Sequence, residues 1–208
     1  FPGDLEQRIR YTLTDNNELI IDYRMATNET TVVNPTNHTY FNLNGQDNGN
    51  ILQHRLEIYA NSFLEIDEDF VPTGNILNVE NTPMDFRIKK IIGKQIDYND
   101  VQIRRAKGYD HNYVFTNDGK LKKMAKLYCD ESGITMTVYS DLCGMQLYTG
   151  NFLDGVVGKG GTRYEEKAGI CFETQYYPNA CNEEHFPSSV LKAGQTYKSR
   201  TIYELAVS

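Results

Sequence analysis

Nowhere in the 208 residues does an apolar run approach the roughly 20 positions that a membrane-spanning helix needs. The amino terminus also lacks the basic and apolar regions of a secretory signal. The expectation is a soluble, cytoplasmic protein with no membrane partner. Positive charge is scarce too: 21 basic against 28 acidic side chains leave a net charge of -7. That sign is wrong for a phosphate-backbone binder, and no Lys/Arg cluster in the chain offsets it, so nucleic acid is not an expected partner.

The four cysteines, Cys129, Cys143, Cys171 and Cys181, lack the paired spacing of a zinc site and are too few for a disulfide scaffold. Reduced, mostly buried thiols are expected. No two histidines and a carboxylate stand at metal-ligand spacing, no Gly-x-Ser-x-Gly elbow occurs, and no Gly-x-Gly-x-x-Gly follows a strand. Neither a metal nor a nucleotide cofactor is expected. Acid-base chemistry without a cofactor remains.

Helical periodicity is nearly absent. Ile88, Ile91, Ile92 and Ile96 fall at helical spacing, but Gly93 interrupts them, so one or two turns are predicted. Alternating strands dominate instead. Ile9, Tyr11 and Leu13 pair with Leu19, Ile21, Tyr23 and Met25 across a polar turn, and residues 121–129 with 134–140 across Asp130-Glu131-Ser132-Gly133. Further strands are predicted at 30–34, 56–60, 145–149, 169–175 and 197–205. Residues 62–87, with Pro72-Thr73-Gly74-Asn75 and Pro83, read as a long excursion over the sheet without a long regular element. Many short strands with little helix predict one all-β domain over residues 1–208, an antiparallel sandwich or barrel. Most of the 15 tyrosines and nine phenylalanines are expected in core and cross-strand packing.

Three stretches concentrate polar groups. Residues 34–43, Asn-Pro-Thr-Asn-His-Thr-Tyr-Phe-Asn-Leu, follow a β-branched strand, and their turn-forming residues predict a bend that presents His38 and Tyr40 to a cavity. Gly108-Tyr109-Asp110-His111-Asn112-Tyr113 places Asp110 and His111 at the start of a strand. For Asp110 an Asx turn or cap is the competing reading, and for His111 a structural role is favoured. In Gly169-Ile170-Cys171-Phe172-Glu173-Thr174-Gln175, alternation sets Cys171, Glu173 and Gln175 on one face and Ile170, Phe172 and Thr174 on the other. Glu173 is then either an exposed residue of an edge strand or a partly desolvated carboxylate useful as a base. His54 and His185 have no distinctive surroundings. These residues alone do not show that positions 38 and 173 meet.

Taken together, residues 34–43 resemble the signature of the aldose 1-epimerases, or galactose mutarotases. Pro72-Thr73-Gly74, Thr82-Pro83-Met84-Asp85-Phe86-Arg87, Gly108-Tyr109-Asp110-His111, the run from Gln146 to Gly155, and Phe172-Glu173-Thr174-Gln175 through Phe186-Pro187-Ser188 resemble later segments of that family in the same order. The resemblance implies a large antiparallel β-sandwich of the galactose mutarotase-like supersandwich type, with a sugar site on its concave face. It implies His38 as general acid, Glu173 as general base, and Asp110, Tyr40 and Gln146 as groups that bind sugar hydroxyls. The implied partner is a monosaccharide such as galactose or glucose, handled by a monomer or homodimer without a cofactor. The reaction so implied interconverts α and β anomers through ring opening, with acid and base on opposite sides of the reacting centre. Relatives that act on hexose 6-phosphates, or that bind carbohydrate without catalysis, are the competing readings.

Phe1-Pro2-Gly3 resembles an internal segment of the family. The implication is a carboxy-terminal portion whose amino-terminal strands, with an arginine and a second histidine that contact sugar in relatives, are missing from this chain.

Overall fold

The computed structural model describes residues 1–207. Its first element is the predicted hairpin: β1 (Leu5–Leu13) and β2 (Glu18–Thr27) pair from Leu5↔Thr27 to Leu13↔Leu19. Asn17 turns the chain at φ 59°, a left-handed conformation that a short polar side chain tolerates. The β-branched run yields only a short β3 (Thr31–Val32) before Pro35, and β4 (Arg55–Ile58) follows the Asn/Gly loop.

Residues 62–87 are not an irregular excursion. They contain an antiparallel hairpin, β5 (Ser62–Ile66) and β6 (Pro72–Asn78). Pro72 is compatible with a strand here because it is the first residue of β6, and β6 is a sheet edge where a missing N–H breaks no ladder. Asp67 shapes the turn, its Oδ1 accepting from the amides of Asp69 and Val71 at 2.9 Å each.

The isoleucine run gives β7 (Lys90–Ile91) and a single 3-10 turn at Ile92–Lys94. A short helix not anticipated from the pattern, α1 (Val101–Ala106), begins at Asp100, whose carboxylate accepts from the amides of Gln102 at 2.8 Å and Ile103 at 3.3 Å. Its six residues are too short for a helical period to show, so the cap was its only legible signal. Then come β8 (Asp110–Val114), β9 (Lys122–Tyr128), β10 (Ile134–Ser140) and β11 (Gly144–Tyr148). A small hairpin of β12 (Val156–Val157) and β13 (Arg163–Tyr164) occupies the glycine-rich connection. The chain ends in β14 (Cys171–Gln175), β15 (Val190–Leu191) and β16 (Thr196–Val207).

Two antiparallel sheets carry the fold, one of seven strands in the order β1-β2-β16-β10-β9-β4-β7 and one of five in the order β14-β11-β8-β5-β6. Ile21, Tyr23, Met25, Leu127, Met136 and Val138 of the first meet Phe63, Tyr113, Met145, Leu147 and Phe172 of the second in one buried cluster. Full burial of a large apolar side chain is worth about 1.5–3 kcal/mol, so this contact holds the layers together. Alternation then decides the site. Because His111, Tyr113, Met145, Leu147 and Phe172 point inward, Asp110, Asn112, Gln146, Tyr148, Cys171 and Glu173 stand on the opposite face of the five-stranded sheet.

No basic cluster is visible along the chain, yet strand register aligns Arg8, Arg24 and Lys198 in one row, with Arg10, Asp22 and Arg200 in the next. Asp22 accepts from Arg200 at 2.7 Å. These residues line a hollow of about 1180 Å³ on the seven-stranded sheet, not on the sheet that carries Glu173. The outermost strand, β1, is exposed along its whole length.

Candidate active site

Residues 34–43 run antiparallel beside β14, the edge strand of the five-stranded sheet, held mainly by side chains. Asn34 makes a two-bond clamp: its Nδ2 donates to the Tyr176 carbonyl at 3.0 Å and its Oδ1 accepts from the Tyr176 amide at 2.8 Å. Thr36 Oγ1 donates to the Thr174 carbonyl at 3.1 Å. Phe41 and Ile170 exchange both backbone hydrogen bonds, at 2.8 and 2.9 Å. Asparagine and threonine replace a regular ladder that Pro35, lacking an N–H, could not complete. The far end is fixed by His54, which is buried and whose Nε2 accepts from the Leu43 amide at 3.1 Å.

Between those anchors the backbone bends and sets His38 over the sheet. Its Nε2 lies 3.3 Å from Glu173 Oε1, and its Nδ1 lies 3.5 Å from Cys171 Sγ. Tyr40 and Tyr148 surround the imidazole, with ring centroids 5.1 and 5.8 Å away. His38 and Tyr40 remain open to solvent, whereas Glu173 is only 7 % exposed. Glu173 therefore lies on an edge strand without being exposed there, because residues 34–43 cover that edge.

Sheet register supplies the remaining groups. Asn112, Gln146 and Glu173 form one row across β8, β11 and β14, and Asp110, Tyr148 and Cys171 form the next. Gln146 Nε2 donates to Asp110 Oδ1 at 2.7 Å, so Asp110 is a partner within the cluster and not a turn-forming residue. The buried Oε1 of Gln146 and Oδ1 of Asn112 have no hydrogen-bond partner. Two unpaired acceptors beside a carboxylate make this face suited to a ligand rich in hydroxyl donors.

Burial, followed by the nearby Asp110 charge, pushes Glu173 up to about 7. Asp110 is also raised, by burial, which the Gln146 hydrogen bond and the His38 charge oppose. Two carboxyl groups that share a poorly solvated face disfavour double ionisation, so the site holds a proton near neutrality.

All five residues singled out from the sequence, His38, Tyr40, Asp110, Gln146 and Glu173, are thus near one another. Three others on the same face were not singled out. Tyr148 and Asn112 were legible only through sheet register, and Cys171 only through its place two residues before Glu173. His111 lies outside the cluster, on the core side. It is fully buried, its Nδ1 accepts from the Asp110 amide at 3.1 Å, and burial lowers it to about 3, so the ring is neutral. Its Nε2 has no partner, so it is structural but incompletely satisfied. His185 is exposed, beside the Gly74 carbonyl at 2.8 Å. No metal spacing is visible in the chain, but His38, Cys171 and Glu173 place one ligand-capable atom each within 4.8 Å of one another.

The fold and the site define a β-sandwich protein with a cluster of histidine, carboxylate, thiol and amide side chains on one sheet face. The chain belongs to the aldose 1-epimerase family, whose model matches residues 1–204. It is 40% identical over 209 residues to the galactose mutarotase of Bos taurus, and 35% identical over 207 residues to the aldose 1-epimerase of Escherichia coli. Those matches take in 100% and 98% of this chain but 59% of each relative, so the chain spans somewhat over half their length. Among solved structures, an aldose epimerase homologue from C. elegans superposes with a TM-score of 0.88 at 30% identity, covering 99% of this chain and 61% of that one. Galactose 1-epimerase from Lactobacillus acidophilus superposes with a TM-score of 0.85 at 26% identity, over 99% of this chain and 58% of that one.

Proposed function

We propose that the protein is an aldose 1-epimerase that interconverts the α and β anomers of free hexoses such as galactose and glucose. The observation that carries this reading is the 3.3 Å approach of His38 Nε2 to Glu173 Oε1. Opening the ring requires a proton to leave the anomeric hydroxyl and a proton to reach the ring oxygen. Both oxygens are bonded to the same carbon, so donor and acceptor must be close neighbours. They are in contact here, nearer than an arrangement on opposite sides of the reacting centre requires, and a sugar would part them.

In the forward direction Glu173 takes the hydroxyl proton while an imidazolium at His38 protonates the ring oxygen. The open aldehyde turns about its C1–C2 bond, and reclosure with the roles reversed delivers the other anomer. A base whose proton affinity lies close to the working pH serves both directions, and the value of about 7 at Glu173 meets that condition. Asp110 and Gln146 bind the hydroxyls, and Tyr40 flanks the ring.

The test is polarimetry or NMR exchange on fresh α-D-galactose, α-D-glucose and glucose 6-phosphate with the full-length protein. Acceleration on the free hexoses supports the reading. Acceleration confined to the phosphorylated sugar would replace it with a hexose-phosphate epimerase, and binding without acceleration would replace it with a carbohydrate-binding protein.

A further inference from the structure

Anomerisation as described uses His38 and Glu173 but leaves Cys171 without a part. Cys171 and Glu173 are alternate residues of β14, so both side chains leave the same face of the strand and both are buried. His38 closes over them from residues 34–43. The imidazole, the thiol and the carboxylate thus offer nitrogen, sulfur and oxygen within 4.8 Å. We propose that this trio is an inhibitory binding site for a soft divalent cation of the zinc class, which competes with the sugar for the acid and the base.

The donor set favours that class, and the spacing of one ligand pair matches it. Magnesium and calcium select oxygen, whereas a mixed imidazole, thiolate and carboxylate set suits zinc. Zinc bound at about 2.3 Å from sulfur and about 2.0 Å from nitrogen, at a tetrahedral angle, holds those two atoms about 3.5 Å apart. The separation of Cys171 Sγ from His38 Nδ1 is 3.5 Å. One ring nitrogen at a time can ligate, and the half-exposed imidazole has solvent on one side in which to adjust. Three protein ligands leave a fourth position for water, the arrangement of an open zinc site.

Binding forms a metal–sulfur bond in place of S–H, and the thiol proton passes to solvent. The lone pairs that would carry protons to and from the sugar are then tied to the cation, so turnover stops. This consequence rests on the acid-base reading of His38 and Glu173. The coordination itself rests on geometry alone, so the two can fail separately.

The experiment titrates full-length protein, stripped with EDTA, with cobalt(II), and follows the thiolate-to-cobalt charge-transfer band. Wild type and the Cys181→Ser control, which removes the exposed thiol, should both develop the band, and zinc should bleach it. Cys171→Ser should not develop it. Glu173→Gln, which keeps the thiol, should need more cobalt to reach it. In parallel, zinc should slow wild-type mutarotation and EDTA should restore it, while Cys171→Ser should require at least ~10-fold more zinc, the loss that even an outer partner of a metal ligand typically causes. No band in wild type, an unchanged band in Cys171→Ser, or acceleration by zinc would overturn the proposal. An absence of mutarotation in the metal-free wild type would sink the functional reading and leave the band to decide the metal site.

Discussion

His38 and Glu173 meet at 3.3 Å although one lies in an irregular segment and the other in the edge strand of a sheet. Asn34, Thr36 and Phe41 produce that meeting by fastening the segment to residues 170–176. If the pair supplies both proton transfers, removing either member leaves the sugar bound but unreactive. Glu173→Gln and His38→Asn should each lower the mutarotation rate by about 10²- to 10⁴-fold, or roughly 3–5 kcal/mol of barrier. Polarimetry on galactose with near-normal rates in either variant would refute the assigned roles.

A base acts only when ionised. Burial and Asp110 hold Glu173 at about 7, so the rate should rise with pH through a limb centred near that value and be weak well below it. A pH–rate profile with its acidic limb at the ordinary carboxylate range would show that Glu173 is not the base.

The same raised value costs stability. Between the ordinary carboxylate range and about 7 the native protein keeps a proton that the unfolded chain has lost, so stability falls as pH rises through that window. Above it the penalty is complete. Glu173→Gln should therefore be more stable than wild type at about pH 8, by about 3 kcal/mol, and nearly equal to it at about pH 4. Denaturant melts at both pH values check the difference, and equal stability at the higher pH would rule out a strained carboxylate.

Asn34 offers a test of positioning apart from chemistry. Asn34→Ala removes both bonds to Tyr176, and because both are solvent-exposed, water takes the place of the lost side chain, so the cost is about 0.5–1.5 kcal/mol. Because the clamp sets the path of the chain toward His38, turnover should fall more than the KM for galactose rises. Unchanged kinetics would show that the Phe41–Ile170 bridge alone suffices to place the imidazole.

His54 anchors the other end. As a neutral ring it accepts from the Leu43 amide, and burial lowers its proton affinity. A histidine whose folded value lies below its unfolded one loses stability as pH falls through the unfolded value, since the unfolded chain takes the proton first. His54→Gln should flatten that acid-side loss in thermal melts, and an unaltered slope would remove His54 from the account.

Several features were legible in the chain because they are local. The alternation of Cys171-Phe172-Glu173 decides which side chains share a face whatever the strand pairs with, and the polar turns at Asn17 and Gly133 mark their hairpins. The hairpin within residues 62–87 was hidden because Pro72 marks a break in an interior strand but is harmless at the first position of an edge strand. The basic rows at Arg8 and Arg10 were hidden because they are assembled from separate strands by register. Cys171 was passed over as a buried thiol because its proximity to His38 is non-local.

By itself, the sequence determined an all-β chain, the strand faces, the candidate residues His38, Tyr40, Asp110 and Glu173, and through its ordered motifs the resemblance to the aldose 1-epimerases, which added Gln146. Only the tertiary structure decided that these residues converge, that Glu173 is buried on an edge strand, and that Cys171 joins His38 and Glu173 in a potential ligand set. The physical reason is a matter of range. Alternation and turn chemistry act over a few bonds, whereas strand pairing and the covering of β14 by residues 34–43 join distant parts of the chain, and the desolvation that raises Glu173 exists only once they have joined.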